Sequence, residues 1–256
     1  MLKHRVIPAL LLSDGGLVKT HKFSNPSYVG DPINAIRIFN DKEVDEIVVL
    51  DIKASKTGRE PDYRLIEEFA SECFMPLTYG GGIKTIEQAE RLFNLGVEKV
   101  CLHSTALKDT NIISDFAARF GTQSVVVSVD IRRNFFGLLK VYNSVDNKNF
   151  RENWYEYLQK IQLAGAGEVL LNAVHRDGTL LGPDLEMIKA VSRKVSTPLV
   201  AMGGVASLAD IKSVIVSGAD AVGAGAFFVY HGKHRAVLIN YPKYNELESL
   251  QKEKKK

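Results

Sequence analysis

The sequence predicts an α/β fold, a TIM (βα)8 barrel built from two similar (βα)4 halves, and three observations favour it. Short β-branched runs alternate with amphipathic stretches from end to end, as in parallel strands joined by helical crossovers. The length of 256 residues suits one such barrel. The third observation is an internal repeat. A doubly wound open sheet is the alternative, but eight evenly spaced units favour closure.

The repeat has a constant offset of 122 residues. This shift lays Glu46–Leu50 on Glu168–Asn172, Gly81–Ile83 on Gly203–Val205, and Gly96–Glu98 on Gly218–Asp220. Self-similarity at one fixed spacing in three separate segments indicates a duplicated unit. The chain is therefore expected to contain two related halves of four strands and four helices each.

Eight runs have the composition of strands: Arg5–Leu12, Glu46–Ile52, Pro76–Tyr79, Lys99–His103, Ser124–Ile131, Glu168–Val174, Pro198–Met202 and Ala221–Gly225. Helical patterns lie between them, for example Thr85–Leu95, Glu152–Ala164, Asp184–Val195 and Ser207–Ser217. Two connections are unusually long, Ser13–Asp31 and Arg132–Arg151. Long loops that follow barrel strands belong to the active face.

Composition narrows the class of protein. Apolar residues make up 45% of the chain, which is enough for one large core, and we expect a single barrel domain over residues 1–256. The net charge of +3 is accounted for by the basic tail, residues 252–256, so no nucleic-acid groove is expected. No apolar run approaches the roughly 20 residues that span a membrane.

Cysteine and histidine usage narrows the cellular compartment and the kinds of site that we expect. Cys73 and Cys101 are too few for a disulfide framework, which fits a reducing, cytoplasmic compartment. The histidines are dispersed, so no metal site is predicted, and no P-loop or dinucleotide fingerprint predicts a nucleotide cofactor.

Paired glycines follow the third and seventh predicted strands, at Gly81-Gly82 and Gly203-Gly204. Glycine lets the backbone approach a ligand closely, and N–H groups at the start of a helix favour phosphate. The pairs therefore predict two phosphate cradles on opposite sides of the barrel mouth, or else ordinary turns that begin helices.

Acidic residues stand at the carboxyl ends of several predicted strands. Asp130 lies near the carboxyl end of an apolar strand, where burial would raise the pKa of its carboxyl and suit it to acid–base work, although a turn-capping role is the alternative. The same two interpretations stay open for Asp51. Asp177-Gly178-Thr179 is either a simple turn or a substrate contact.

Charged residues also stand at the amino-terminal ends of several predicted strands, at the bottom of the barrel. Arg5, Glu46, Lys99 and Glu168 each stand at or near the start of a strand. They could form a neutral ring across the bottom of the barrel, or else a polar plug or scattered surface ion pairs, which contribute little.

Over nearly its whole length the chain resembles the HisF family, the cyclase subunit of imidazole glycerol phosphate synthase. The matching segments are Asp14-Gly15 with Val18-Lys19, Leu50–Ile52, Gly80–Ile83, Val125–Asp130, Gly165–Glu168, Arg176–Thr179 and Gly218–Ala221. The resemblance implies a substrate with a phosphate at each end and a glutaminase (HisH-like) subunit docked at the bottom. Ammonia would cross a gate that corresponds to Arg5, Glu46, Lys99 and Glu168.

The resemblance also assigns the top of the barrel. It makes Asp130 one of two catalytic aspartates, places Lys19 in a mobile first loop, and implies a set of substrate and phosphate contacts: Lys19, Asp51, Gly82, His103, Ser104, Asn172, Asp177, Gly178, Gly204, Gly225 and Ala226. The sister isomerase of the family uses no ammonia, so the complete ring argues against that activity.

The chain departs from the family pattern at its substrate end. Leu11 stands where the second catalytic aspartate belongs, and losing a general acid or base typically costs roughly 10²–10⁴ in rate. Further departures are His103-Ser104 for Asn-Thr, Ala226 for a hydroxyl residue, Asn172 for threonine, and an early Pro8.

These departures resemble HisF-like paralogues of surface-polysaccharide (lipopolysaccharide) pathways. There a barrel–glutaminase pair supplies nitrogen for amidine formation on a nucleotide-linked sugar, with a third protein, an amidotransferase, as a further partner. The histidine-pathway cyclase itself is the other candidate within the family. Two alternatives of other classes stay open: a non-catalytic scaffold that conducts ammonia to a separate amidotransferase, and a phosphosugar isomerase that needs no ammonia.

Overall fold

A computed structural model describes residues 4–251. The basic tail, residues 252–256, lies outside the described residues. The strands are β1 (Arg5–Ser13), β2 (Gly16–His21), β3 (Ser24–Gly30), β4 (Ile47–Asp51), β5 (Leu77–Gly80), β6 (Lys99–Leu102), β7 (Val125–Arg133), β8 (Leu139–Asn143), β9 (Lys148–Asn149), β10 (Glu168–Ala173), β11 (Leu199–Met202), β12 (Ala221–Ala224), β13 (Tyr230–His231) and β14 (Ala236–Val237).

The helices lie mostly between barrel strands. They are α1 (Pro32–Asp41), α2 (Ala54–Thr57), α3 (Tyr63–Ala70), α4 (Ile86–Asn94), α5 (Ser104–Lys108), α6 (Asn111–Phe120), α7 (Trp154–Leu163), α8 (Leu185–Ser192), α9 (Leu208–Val216), α10 (Ala226–Val229) and α11 (Tyr244–Gln251). Side chains of Thr85, Asp184 and Ser207 cap α4, α8 and α9, which explains why the predicted helices begin at those residues. Within residues 4–251, no helix is both long and apolar enough to cross a bilayer.

Eight parallel strands close into the barrel that the sequence predicts. In order around the ring they are β1, β4, β5, β6, β7, β10, β11 and β12, and pairing of β7 with β10 completes the circle. The alternative of an open sheet is wrong, because neither β7 nor β10 is left as an edge. All eight predicted strands are present.

The two long connections fold as antiparallel hairpins instead of irregular loops. The first contains β2 and β3, and the second contains β8 and β9. Both follow the carboxyl end of a barrel strand. They therefore build up the same face of the barrel.

Apolar side chains fill two regions. A large cluster lies between the strands and the helices, while a smaller one fills the inside of the barrel: Ile7, Val48, Cys101, Val126, Leu170, Val200 and Ala221. Residues on a strand alternate between the two sides, so every barrel strand except β5 contributes to both clusters.

The duplicated glycines confirm the repeat. Gly81 and Gly203 have φ of +121° and +102°. A Cβ on Gly81 would come within 2.5 Å of the Asp51 carbonyl oxygen, and one on Gly203 within 2.8 Å of the Ala173 carbonyl oxygen. Asp51 and Ala173 are themselves related by the 122-residue offset. Only glycine fits either position without displacing the backbone.

Candidate functional site

A cavity opens at the carboxyl ends of the barrel strands, where active sites of this fold lie. Every residue that the sequence analysis proposes as a substrate contact lines it: Lys19, Asp51, Gly82, His103, Ser104, Asn172, Asp177, Gly178, Gly204, Gly225 and Ala226. Asp130 and Leu11 line it as well. The structure thus brings this set together in one place.

Asp130 is buried on β7 with an ionisable neighbour. Its Oδ2 lies 3.3 Å from Nε2 of His103, and its Oδ1 accepts a 3.5 Å hydrogen bond from the Ser128 hydroxyl. Burial raises the pKa of the Asp130 carboxyl, while the imidazole of His103 opposes this rise. A carboxyl with a raised pKa at a cavity wall can give and take a proton.

Lys19, which the resemblance places in the first loop, lies in β2 of the first hairpin. Its side chain is buried, and Nζ donates a 2.6 Å hydrogen bond to the Ala9 carbonyl oxygen. Burial lowers the pKa of the Lys19 ammonium to about 8. A Cβ on Gly225 would come within 2.7 Å of Nζ, so the ammonium lies at the end of the eighth barrel strand. This strand buries four consecutive residues, Leu17 to Thr20, so no alternation of side chains marks it in the sequence.

Asp177 joins the first hairpin to the loop after β10. Its Oδ2 accepts hydrogen bonds from the Thr20 hydroxyl at 2.6 Å and from the Phe23 N–H at 3.0 Å. A Cβ on Gly178 would come within 1.9 Å of the Thr20 carbonyl oxygen. This segment therefore holds the first hairpin against the loop after β10, as a structural turn would. Asp177 and Gly178 also line the cavity, so the interpretation as a substrate contact has support as well.

Asp51 and the glycine pairs form tight turns at the cavity wall. Oδ1 of Asp51 accepts hydrogen bonds from the N–H groups of Lys53 and Ala54, both at 2.9 Å, which is the turn-capping role. The N–H of Gly82 donates to the Ser55 hydroxyl at 3.2 Å. A phosphate bound at this N–H would have to displace or share that hydroxyl.

The four charged residues at the opposite end form a closed ring. Arg5 donates hydrogen bonds to both Glu46 and Glu168. Nζ of Lys99 lies 2.9 Å from a Glu46 oxygen and 3.1 Å from a Glu168 oxygen. Each carboxylate thus touches both cations, and the two glutamates are buried. The interpretation as scattered surface ion pairs is wrong.

Several cavity residues escaped the sequence analysis: Leu50, Cys101, Ser128, Ser144, Val145, Met202 and Phe23. The position of Ser128 in the cavity could have been predicted. It stands two residues before Asp130, and side chains two residues apart on a strand point to the same side. Ser144 and Val145 belong to the turn after β8, whose fold over the cavity depends on contacts with distant parts of the chain.

A second, shallower pocket lies beside the first, between the β7–β8 hairpin and the start of α8. There Asp184 accepts hydrogen bonds from Arg133 and contacts Nε2 of His175 at 2.9 Å. Burial opposes ionisation of Asp184, but His175, Arg133 and a hydrogen bond from the Met187 N–H together outweigh it and lower the pKa of the carboxyl. Among residues 4–251, no group of three or more His, Cys, Asp or Glu side chains is placed to hold a metal ion.

Comparison with known proteins finds relatives that are similar to this chain over most of its length. The model of the histidine biosynthesis protein family matches residues 5–235. A Pseudomonas aeruginosa protein with the provisional name imidazole glycerol phosphate synthase subunit hisF2 is 51% identical over 249 residues, 97% of this chain and 99% of that protein. A Leptospira interrogans protein, provisionally named imidazole glycerol phosphate synthase subunit HisF, is 49% identical over 98% of this chain and 99% of its own length. The Streptococcus sanguinis imidazole glycerol phosphate synthase subunit HisF is 38% identical over 90% of this chain and 91% of its own length.

Proposed function

Because the chain belongs to the histidine biosynthesis protein family, we propose that it is a HisF-type synthase subunit of a glutamine amidotransferase. It takes ammonia from a glutaminase (HisH-like) partner at the bottom of the barrel. The ammonia passes through the barrel to a substrate in the cavity at the opposite end. The names of its relatives as synthase subunits support this class of protein.

The observation that carries the proposal is the closed ring below an apolar barrel interior. Above the ring, the inside of the barrel is lined by apolar side chains. Moving neutral ammonia into such surroundings costs far less than moving an ammonium ion, which would lose its hydration without compensation. The ring then acts as a gate, since ammonia passes only when one of its ion pairs, for example Lys99–Glu46, opens.

The substrate end supports a ligand with negative charge at both sides. Glycine pairs after β5 and β11 face each other across the cavity, and the Lys19 ammonium lies beside Gly225. Backbone N–H groups with a nearby cation favour phosphate. A phosphorylated or nucleotide-linked sugar satisfies this pattern.

Leu11 directs the proposal to a paralogue and not to the histidine-pathway cyclase. An isobutyl group at this place in the cavity wall transfers no proton, whereas imidazole closure is expected to need a second carboxyl. We therefore propose amidine formation on a nucleotide-linked sugar of a surface-polysaccharide pathway. A third protein, an amidotransferase, is the expected further partner, and the unpaired cysteines fit a cytoplasmic setting.

The decisive experiment is an ammonia-dependent turnover assay with the ribonucleotide substrate of the cyclase, on the wild type beside Leu11→Asp. We expect no imidazole product from the wild type and nitrogen transfer to a nucleotide-linked diacetamido sugar acid when the partners are present. Normal imidazole formation by the wild type would refute the paralogue assignment, and a gain in Leu11→Asp alone would support it.

The two alternatives give different results. In a non-catalytic scaffold, Asp130→Asn leaves nitrogen transfer by the complete set of partners intact, whereas the proposal expects a loss of roughly 10²-fold or more. A phosphosugar isomerase turns its substrate over without glutamine or ammonia. Asp130→Glu, which keeps the carboxyl, is the matched control for the first of these comparisons.

A further inference from the structure

His103 directly follows β6, Asp130 lies on the neighbouring strand β7, and their side chains meet at the cavity wall. Nδ1 of His103 lies 3.0 Å from the carbonyl oxygen of Ser128. A carbonyl oxygen only accepts hydrogen bonds, so Nδ1 must carry a proton. The other ring nitrogen, Nε2, therefore faces the Asp130 carboxyl, with 3.3 Å between Nε2 and Oδ2.

The proton count of this pair follows from its geometry. A neutral imidazole with its proton on Nδ1 presents a lone pair at Nε2, and an ionised carboxylate presents only lone pairs. Two buried acceptors at this distance repel each other. Nε2 is buried and has no aligned hydrogen-bond partner within the described residues. One further proton between Nε2 and Oδ2 removes the repulsion, and such contacts are often poorly aligned before substrate binds.

We propose that His103 is a positioning residue for Asp130, and that the two side chains share one proton, which supplies acid and base at the cavity without a carboxyl at position 11. The role of this pair in nitrogen transfer rests on the proposed function, whereas the sharing of a proton between the two side chains does not. The pair makes no bond to carbon: Oδ2 accepts one proton from the substrate side and returns one. Its proton count is therefore the same after each turnover.

The surroundings make the imidazole necessary. Burial alone raises the pKa of the Asp130 carboxyl, the nearby Asp177 carboxyl raises it further, and His103 lowers it. Cys101 and Tyr157 also face this carboxyl, and burial raises the pKa of both groups, so they stay neutral beside it. Without His103, Asp130 would hold its proton and act poorly as a base.

Nuclear magnetic resonance tests the pair without any substrate. In the full chain with ¹⁵N-labelled histidine, we expect the His103 ring to carry its proton on Nδ1 at neutral pH. With ¹³C-labelled aspartate, we expect the carboxyl titration of Asp130 to move to higher pH in His103→Asn. His175→Asn is the matched control, because His175 contacts a carboxylate in the second pocket, and it should leave the Asp130 titration unchanged.

The pH profile of ammonia-dependent nitrogen transfer tests the role. In His103→Asn we expect kcat to fall by roughly 10²-fold, its acid limb to move to higher pH, and KM to change little. An unprotonated Nδ1, or an Asp130 titration that His103→Asn does not move, would overturn the inference. A His103→Asn variant that stays active with an unchanged pH profile of kcat would overturn it too. If the spectra agree but no ammonia-dependent turnover exists, the shared proton stands and the proposed function fails.

Discussion

Leu11 and Asp130 occupy equivalent positions in the two halves of the barrel. Leu11 on β1 pairs in register with Leu50 on β4, and Asp130 on β7 pairs with Asn172 on β10. Leu50 and Asn172 are themselves related by the 122-residue offset of the repeat. One half therefore presents a carboxyl to the cavity at the place where the other half presents an isobutyl group.

Leu11→Asp restores the symmetry at a cost in stability that depends on pH. The new carboxyl would lie beside apolar Leu50 in a cavity that already holds Asp130, so its pKa is raised in the folded state. Folding then binds protons, and stability falls as the pH rises above about 4. We expect Leu11→Asp to unfold in less urea than Leu11→Asn at pH 7 and in the same urea near pH 4. If the two variants differed by the same urea concentration at both pH values, this expectation would be contradicted.

The barrel and the ring could be predicted because position along a strand fixes height in the barrel. Arg5, Lys99 and Glu168 are the first residues of their strands, and Glu46 directly precedes β4, so all four reach the same end. Strand composition and the repeat together located all eight strands.

The details of the cavity depend on contacts between distant residues. His103 approaches the Ser128 carbonyl oxygen across 25 positions, and Thr20 donates to Asp177 across 157. No local pattern encodes such a contact. The burial of Lys19 could not be predicted for the same reason, since the docking of its hairpin, and not its own composition, buries it.

Gly178→Ala tests whether the first hairpin is fastened to the loop after β10. A Cβ there would collide with the Thr20 carbonyl oxygen, and φ is +64°. Gly15→Ala is the matched control, with φ of +81° and no atom within 4 Å of its Cβ. We expect Gly15→Ala to lower the free energy of unfolding by roughly 1 kcal/mol through its backbone conformation alone. Gly178→Ala should cost more and speed hydrogen exchange in residues 16–30, and equal costs would argue against the fastening.

Lys99→Met removes one cation from the ring and leaves Glu46 and Glu168 with Arg5 alone. Breaking a buried ion pair on one side leaves charge without compensation, and we expect the free energy of unfolding to fall by about 3 kcal/mol. The control is Arg64→Met, which removes the exposed Arg64–Glu68 pair and should change stability by less than about 0.5 kcal/mol. Adding Glu46→Gln to Lys99→Met should recover part of the loss. Denaturant unfolding measures all four chains, and similar losses in the two single variants would show that the ring is solvated.

Lys19 makes wild-type stability depend on pH in the alkaline range. Burial lowers the pKa of its ammonium from an ordinary 10.5 to about 8. Between these values the unfolded chain binds more protons than the folded chain, so this group makes stability rise with pH. Below pH 8 the cost of burying the charge is complete, on the order of 3 kcal/mol.

Lys19→Met lacks this titration. We expect the stability of Lys19→Met relative to the wild type to be highest near pH 7 and to decline steadily towards pH 10, because the wild type gains as Lys19 loses its proton. Lys212→Met, which replaces an exposed lysine of α9, should show no such trend. Urea unfolding at half-unit steps of pH measures the difference. A constant difference between Lys19→Met and the wild type would mean that the ammonium at the cavity wall is solvated and ordinary.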